Sequence, residues 1–407
     1  MSELATPGPA DSSDAFAFMQ VGAAATPVPD TVIAIPVRNE AERITACLRA
    51  VDAQAGLRPG SLGLVLFLNN CTDGTVALVE DLAPRMSIPV RFAHVTFAGA
   101  HAGWARRAAM DAAADWLDAG GHAMGTILST DADTLVPPDW VARNLAAMEA
   151  GADAVAGRVE LNPAEAALLP PSLPARGRLE DAYSALLTEA EARIDPDPHD
   201  PWPCHRTTIG ASLSVRLPAY RTVGGMPAIP LGEDGAFVAS LLTHGCRVRH
   251  ATDVVVIISA RLTGRAPGGV ADTIRARCEV PDSLCDARLE SVPRALIRYA
   301  WRHRLRRLHA DGRLVRTRGW ARLLGIGPDE ARRIAALPLA RLAIAEAERA
   351  SPRLAYRPLG PRQLPRHIRI ASLVLAGMRA ASRTGRAMRA GGSGVAPVPG
   401  VAPADAR

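Results

Sequence analysis

Lysine is absent from the whole chain of 407 residues, so all 47 basic side chains are arginine. That excludes chemistry needing a lysine amine: a Schiff base to a carbonyl substrate, or the phosphate-gripping lysine of a Walker loop. In so alanine-rich a chain the absence reads as nucleotide composition rather than function. The six cysteines, at 47, 71, 204, 246, 278 and 285, form no C-x-x-C pair. This excludes a zinc ribbon and a disulfide framework, and predicts free thiols in a reducing, cytoplasmic compartment. No run of about 18 apolar residues occurs, so no membrane-spanning helix is expected. The start, MSELATPGPADSSDAFAF, lacks a basic n-region and a long apolar core and does not read as a signal peptide. No G-x-G-x-x-G follows the first predicted strand, which disfavours a dehydrogenase. No internal repeat is present.

What the chain does have is core-forming material: 48% apolar residues, with a formal charge of +6 from 47 basic and 41 acidic groups. Its length allows one large domain plus a smaller one, or two domains. After an Ala/Pro/Ser/Asp-rich leader at 1–29, apolar runs alternate with amphipathic segments. TVIAIPV (31–37), LGLVLFL (62–68), PVRFAHV (89–95) and MGTILST (124–130) read as strands. Helices are predicted over 38–54, 73–83 and 102–119, and the alternation predicts an α/β fold with a mostly parallel, Rossmann-type sheet covered on both faces. Further strands are expected at 152–161, 210–216 and 248–261, and a charged helix at 175–194. The domain reading is a leader at 1–29, a catalytic domain at 30–265, an Arg-rich helical region at 266–385 and a disordered Gly/Pro/Ala tail at 386–407.

The most informative stretch is TILSTDADTLVPPDW, residues 126–140, in which an apolar strand ends on Asp131 and Asp133. Two carboxylates so close repel unless a positive group lies between them. In parallel sheets ligands bind past the carboxyl ends of the strands, and a divalent ion held there by carboxylate oxygens can carry a diphosphate. The other strand ends also suit a nucleotide. The first closes on PVRNE, with Pro36, Arg38, Asn39 and Glu40. The second closes on NNCTDGT, with Asn69, Asn70, Thr72, Asp73 and Gly74. The third leads into a helix bearing Arg106 and Arg107.

In their order and spacing, IPVRNE, NNCTDGT, WARRAAM and DAD resemble glycosyltransferase family 2, with its GT-A fold, over residues 31–160. GASLSVRLPAYRTVGGMP followed by GEDGAF resembles that family's acceptor-side segment. The resemblance implies a nucleotide-sugar donor bound by Pro36, Arg38, Glu40, Asn69, Asn70, Asp73, Arg106 and Asp131. Arg261 and Arg265, in SARLTGRAPGG, resemble a loop that closes over the donor diphosphate. It implies Mg²⁺ or Mn²⁺ at Asp133 and Asp131, with His250 as a further ligand, and Asp234 beside Glu233 as general base of an inverting transfer. For the carboxylate pair at 233–234, the plainer role is capping of a helix N-terminus. One departure stands out: where many relatives have an aspartate against the nucleobase, this chain has Leu68. Asn69 or Asn70 would supply amide hydrogen bonds instead, which leaves the base open.

Two alternatives remain at this level. A retaining transferase of the glucosyl-phosphoglycerate type would share the core and need no base. A non-catalytic scaffold would keep the fold and use its Arg-rich helices on anionic partners. A sugar-nucleotide pyrophosphorylase lacks its Gly-rich, Lys-bearing start here. The acceptor, a small molecule or a lipid-linked one, is not legible, and no nucleic-acid partner is expected. In RALIRYAWRHRLRRLH the apolar residues gather on one side and arginines on the rest. This predicts either a packed helix with a solvated basic face or peripheral contact with an anionic membrane.

Overall fold

The computed structural model describes residues 16–23, 28–317 and 319–391, the last nine by backbone alone. The rest of the expected leader (1–15 and 24–27) and the tail from 392 lie outside the described residues. Eight strands form one sheet: β1 (Met19–Gly22), β2 (Thr31–Val37), β3 (Leu62–Asn69), β4 (Pro89–Val95), β5 (Thr126–Ser129), β6 (Ala154–Leu161), β7 (Leu213–Arg216) and β8 (Val248–Ile258), in the order β1-β4-β3-β2-β5-β7-β6-β8. β2 pairs in parallel with β3 and β5, and β3 with β4, while β7 runs antiparallel between β5 and β6, and β8 runs parallel to β6. The sheet is therefore α/β and mostly parallel, with two antiparallel members. One of these, β1, comes from the expected flexible leader: residues 19–22 pair with 89–92 and cap the β4 edge.

The two faces of the sheet follow from period-two alternation. Ile33, Ile35, Leu64 and Leu66 point into one core with α1 (Ile44–Asp52), α2 (Thr75–Leu82) and α4 (Trp140–Glu149). Val32, Ala34, Val65 and Phe67 point into the other, against α3 (Ala102–Ala119). The buried alanines 105, 108, 109, 112 and 113 on α3 keep its face smooth against the strands. Because β7 reverses direction twice over, β6 and β8 run the same way as β2 to β5. The carboxyl ends of six strands thus meet along one edge of the sheet.

The remaining helices are α5 (Pro163–Ala166), α6 (Ser172–Ile194), α7 (Leu217–Thr222), α8 (Glu233–Thr243), α9 (Val270–Glu279), α10 (Val292–Ala310), α11 (Gly319–Leu324), α12 (Pro328–Ala335), α13 (Ala340–Ala350) and α14 (Leu364–Gly391). α14 continues past residue 385, where the tail was expected to begin. Packing also crosses the expected boundary at 265: Tyr183 and Leu187 of α6 share a core with Tyr299 of α10 and Leu364 and Leu375 of α14. The arginines of α10 do not simply form a solvated face. Arg298 pairs with Glu290 (2.7 Å), Arg302 with Glu348 (2.6 Å) and Arg306 with Asp195 (2.8 Å). No helix of the described residues is long and apolar enough to cross a membrane.

Candidate active site

The strand ends open into a cavity of about 850 Å³. Pro36, Arg38, Glu40, Asn69, Arg106, Asp131, Asp133, Glu233, Asp234, Arg261 and Arg265 all line it, so most of the residues singled out from sequence are brought together.

At its floor is Arg106, from the second turn of α3. Every guanidinium nitrogen is engaged: Nε donates to Glu233 (3.2 Å), one Nη to Ser129 Oγ (2.9 Å) and the Gly210 carbonyl (3.1 Å), the other to Asp131 (2.8 Å). Burial works against its charge, but Asp131 and Glu233 more than offset that and raise its pKa. The family resemblance places Arg106 at the nucleotide-sugar donor. Saturated in this way, it is instead a strut joining β5, the turn before β7 and the start of α8. Gly210 is required beside it, since a Cβ there would lie 2.5 Å from the Arg106 guanidinium carbon. Arg107 turns away, pairing with Asp111 and donating to the Met226 carbonyl.

Glu233 and Asp234 occupy the first turn of α8, but neither side chain caps that helix in the usual way. Glu233 is committed to Arg106. Asp234 is half-buried at the cavity wall, with Oδ2 accepting from the Gly210 amide at 3.0 Å and Oδ1 from the Gly235 amide at 2.6 Å. Its carboxylate is thereby held in one orientation while still facing the cavity.

Above Arg106 lies a second ionic group. Arg261 grips Glu40 through a fork of 2.8 and 2.6 Å and reaches Asp133 at 3.0 Å. Arg265 donates to the Asn39 carbonyl at 2.8 Å. Burial, with Asp131 beside it, pushes the Asp133 carboxyl up to about 6, and Arg261 works the other way. Burial and the acidic neighbours Asp131 and Glu40 thus outweigh the Arg261 pair at Asp133. Among the described residues no cluster of three or more His, Cys, Asp or Glu forms a metal cage. Two carboxylates at the cavity suit an ion that completes its shell with phosphate oxygens and water, as Mg²⁺ and similar hard cations do. The donor set fits such an ion.

Three expected ligand contacts are replaced by structural ones. Asn70, at φ 52°, donates to the Phe97 carbonyl (2.8 Å) and accepts from its amide (3.0 Å), so its amide is spent bracing the loop after β4. Asp73 accepts from the amides of Thr75 (3.0 Å) and Ala41 (3.2 Å), tying the end of β2 to the start of α2. Burial opposes its charge, yet these bonds hold its carboxyl below the usual range. His250 is not brought to the cavity. It sits near the amino end of β8 opposite Ala156, whereas Ile258 at the cavity lies opposite Leu161, five residues or ~17 Å farther along β6, and its Nδ1 bonds Asp200 at 2.9 Å. It therefore drops out of the metal set. His205, edge-on to His250, is pushed down to about 4 by burial and by that neighbour.

Sequence reasoning missed the opposite wall of the cavity, formed by Leu161, Leu169, Leu173, Gly177, Val270 and Ile274. No motif marks it. A glycine in the second turn of the 23-residue helix α6 was the available signal.

Residues 32–195 match the family model described as glycosyl transferase family 2. No curated protein matches the chain. Among solved structures, TarS 1–349 of S. aureus in complex with UDP-GlcNAc is 15% identical, with 78% of this chain and 88% of that one covered and a TM-score of 0.41. A mannosyltransferase from Pyrobaculum calidifontis in complex with GDP-Man and Mn²⁺ is 18% identical over 80% of this chain and 88% of that one, with a TM-score of 0.39.

Proposed function

From its glycosyl transferase family 2 domain at residues 32–195, we propose that this glycosyltransferase moves a sugar from a nucleoside-diphosphate donor to an acceptor hydroxyl with inversion, assisted by Mg²⁺ or Mn²⁺. One observation carries the reading. Asp131 and Asp133 from the end of β5 share a cavity with Asp234 from the start of α8, and Arg106 joins Asp131 to Glu233 next to it.

In this reading Asp133 and Asp131 hold the divalent ion. When bound, it neutralises charge that develops on the leaving diphosphate. Arg38 and Arg265 line the same cavity and offer counter-charge to the phosphates, while Arg261 is held by Glu40 and Asp133 and becomes available only as an ion takes its place at Asp133. Asp234 accepts the proton of the acceptor hydroxyl as its oxygen bonds to the anomeric carbon, while the bond from that carbon to the diphosphate oxygen breaks. The Gly210 amide keeps Asp234 aimed at the cavity, which a general base requires. Glu233 is a positioning residue acting through Arg106. The six unpaired cysteines suit a reducing, cytoplasmic setting.

The test is a panel of UDP-, GDP-, ADP- and TDP-sugars incubated with purified protein, with Mn²⁺ and with EDTA. Metal-dependent release of one nucleoside diphosphate is expected. Failure to bind or turn over every donor overturns the proposal.

A further inference from the structure

We infer that the half of the cavity away from the carboxylates is an acceptor subsite for a molecule with a hydroxyl on an apolar body. This rests on the glycosyl-transfer reading for its role and on separate observations for its chemistry.

The first observation is room. At about 850 Å³ the cavity stands near the top of the roughly 300–1,000 Å³ usual for small-molecule sites, which leaves space beyond a donor. The second is the wall. Leu169, Leu173 and Ile274 form a small apolar cluster with Leu161 packed against it, and all four line the cavity. Its mouth is apolar too: Leu231 and Val270 are 57% and 44% exposed. Their cost in water would be offset by an apolar ligand.

The third observation is Gly177. A glycine inside a helix costs about 1 kcal/mol relative to alanine. Here a Cβ would meet nothing within 4 Å. Its side faces the cavity, so what the glycine leaves is open space beside Leu173. Finally, of the charged groups at that end Glu180 is paired with Arg277, and the exposed Asp181 carboxylate accepts from a hydroxyl but repels an anion. No aromatic residue lines the cavity among the described residues, so a sugar ring would find no stacking face. Arg277, the one arginine lining that end, is held by Glu180 at 3.1 Å and is not free for an anionic acceptor.

The experiment uses 1-decanol as a soluble probe, and separately diacylglycerol in phosphatidylcholine vesicles. Binding is measured on wild type, Gly177→Ala and Gly177→Leu, alongside binding of nucleoside diphosphate with Mn²⁺. Wild type and Gly177→Ala should bind the probe. Gly177→Leu should bind it at least about tenfold more weakly, since its side chain takes the space of two or three buried methylenes, and should still bind nucleotide. If Gly177→Leu does not fold, Val270→Asp at the exposed mouth replaces it. Binding of decanol alone identifies a free amphiphile as the source, and binding only from vesicles identifies a membrane lipid. No binding in either arm, or binding that ignores both substitutions, overturns the inference. Gly177-dependent probe binding without any nucleotide binding would sustain the apolar subsite and sink the glycosyl-transfer reading.

Discussion

Arg106→Met is the sharpest test of how the site is assembled. The substitution keeps much of the stem and removes the guanidinium. Glu233, with its side chain 10% exposed, then loses its counter-charge, and Asp131, at 34%, loses one of two nearby cations. Ser129 and the Gly210 carbonyl lose their donor. Breaking a buried ion pair by removing one partner costs about 3–5 kcal/mol. The Asp131 limb is screened by solvent and contributes less, so most of the loss falls on Glu233. Set against a total stability of about 5–15 kcal/mol, the variant should fold but unfold at clearly lower urea. Glu233→Gln alone should cost less, because Arg106 keeps Asp131. The double variant Arg106→Met/Glu233→Gln should be less damaged than the sum, by about 0.5–3 kcal/mol, as no charged Glu233 remains buried. A single variant within about 0.5 kcal/mol of wild type, as for an ordinary surface substitution, or strict additivity in the double, would refute the strut.

Asp234→Asn should lower turnover by roughly 10²–10⁴-fold with nucleotide binding retained, and a product of retained anomeric configuration would count against the base. The Asp133 carboxyl is pushed up to about 6, whereas an unfolded aspartate titrates near ~3.9. The folded state therefore holds the extra proton between these values, and this group's contribution to stability is lost as pH rises through its folded pKa. A divalent ion competes with that proton, so thermal stabilisation by Mn²⁺ plus nucleoside diphosphate should grow from about pH 5 to about pH 7.5. Asp133→Asn should abolish that growth, and an unchanged metal-dependent shift in the variant would exclude Asp133 as a ligand. Gly210→Ala puts a Cβ 2.5 Å from the Arg106 guanidinium, and should cost about 1–3 kcal/mol by overpacking while loosening Asp234. Wild-type urea midpoint and turnover in that variant would show the contact to be slack.

The strands β2 to β5 were legible because their signal is local. TVIAIPV and LGLVLFL are apolar throughout, as strands covered on both faces must be, and the polar residues that follow them mark the ligand edge. Asp131 and Asp133 could be found for the same reason: two like charges at the end of a buried strand need an explanation. β1 was hidden because a four-residue edge strand, mostly exposed, carries almost no periodic pattern.

Partner choice was not legible, because it depends on which distant segments the sheet order brings together. Arg106 as a strut requires residues 106, 129, 131, 210 and 233 to converge, which only the insertion of antiparallel β7 beside β5 achieves. Asn70 and Asp73 look the same in sequence whether they touch a ligand or the backbone of a neighbouring loop. His250 has a plausible residue type for a metal, but strand direction sets it at the far end of β8, where its Nδ1 bonds Asp200. The arginines of α10 read as a basic surface until α6 and α13 supply Glu191 and Glu348. Sequence alone determined the elements and the chemistry at the strand ends, since burial and local charge act within a few residues. Tertiary structure alone decided which of those charges face a ligand and which are neutralised, because an ion pair is a matter of distance in space.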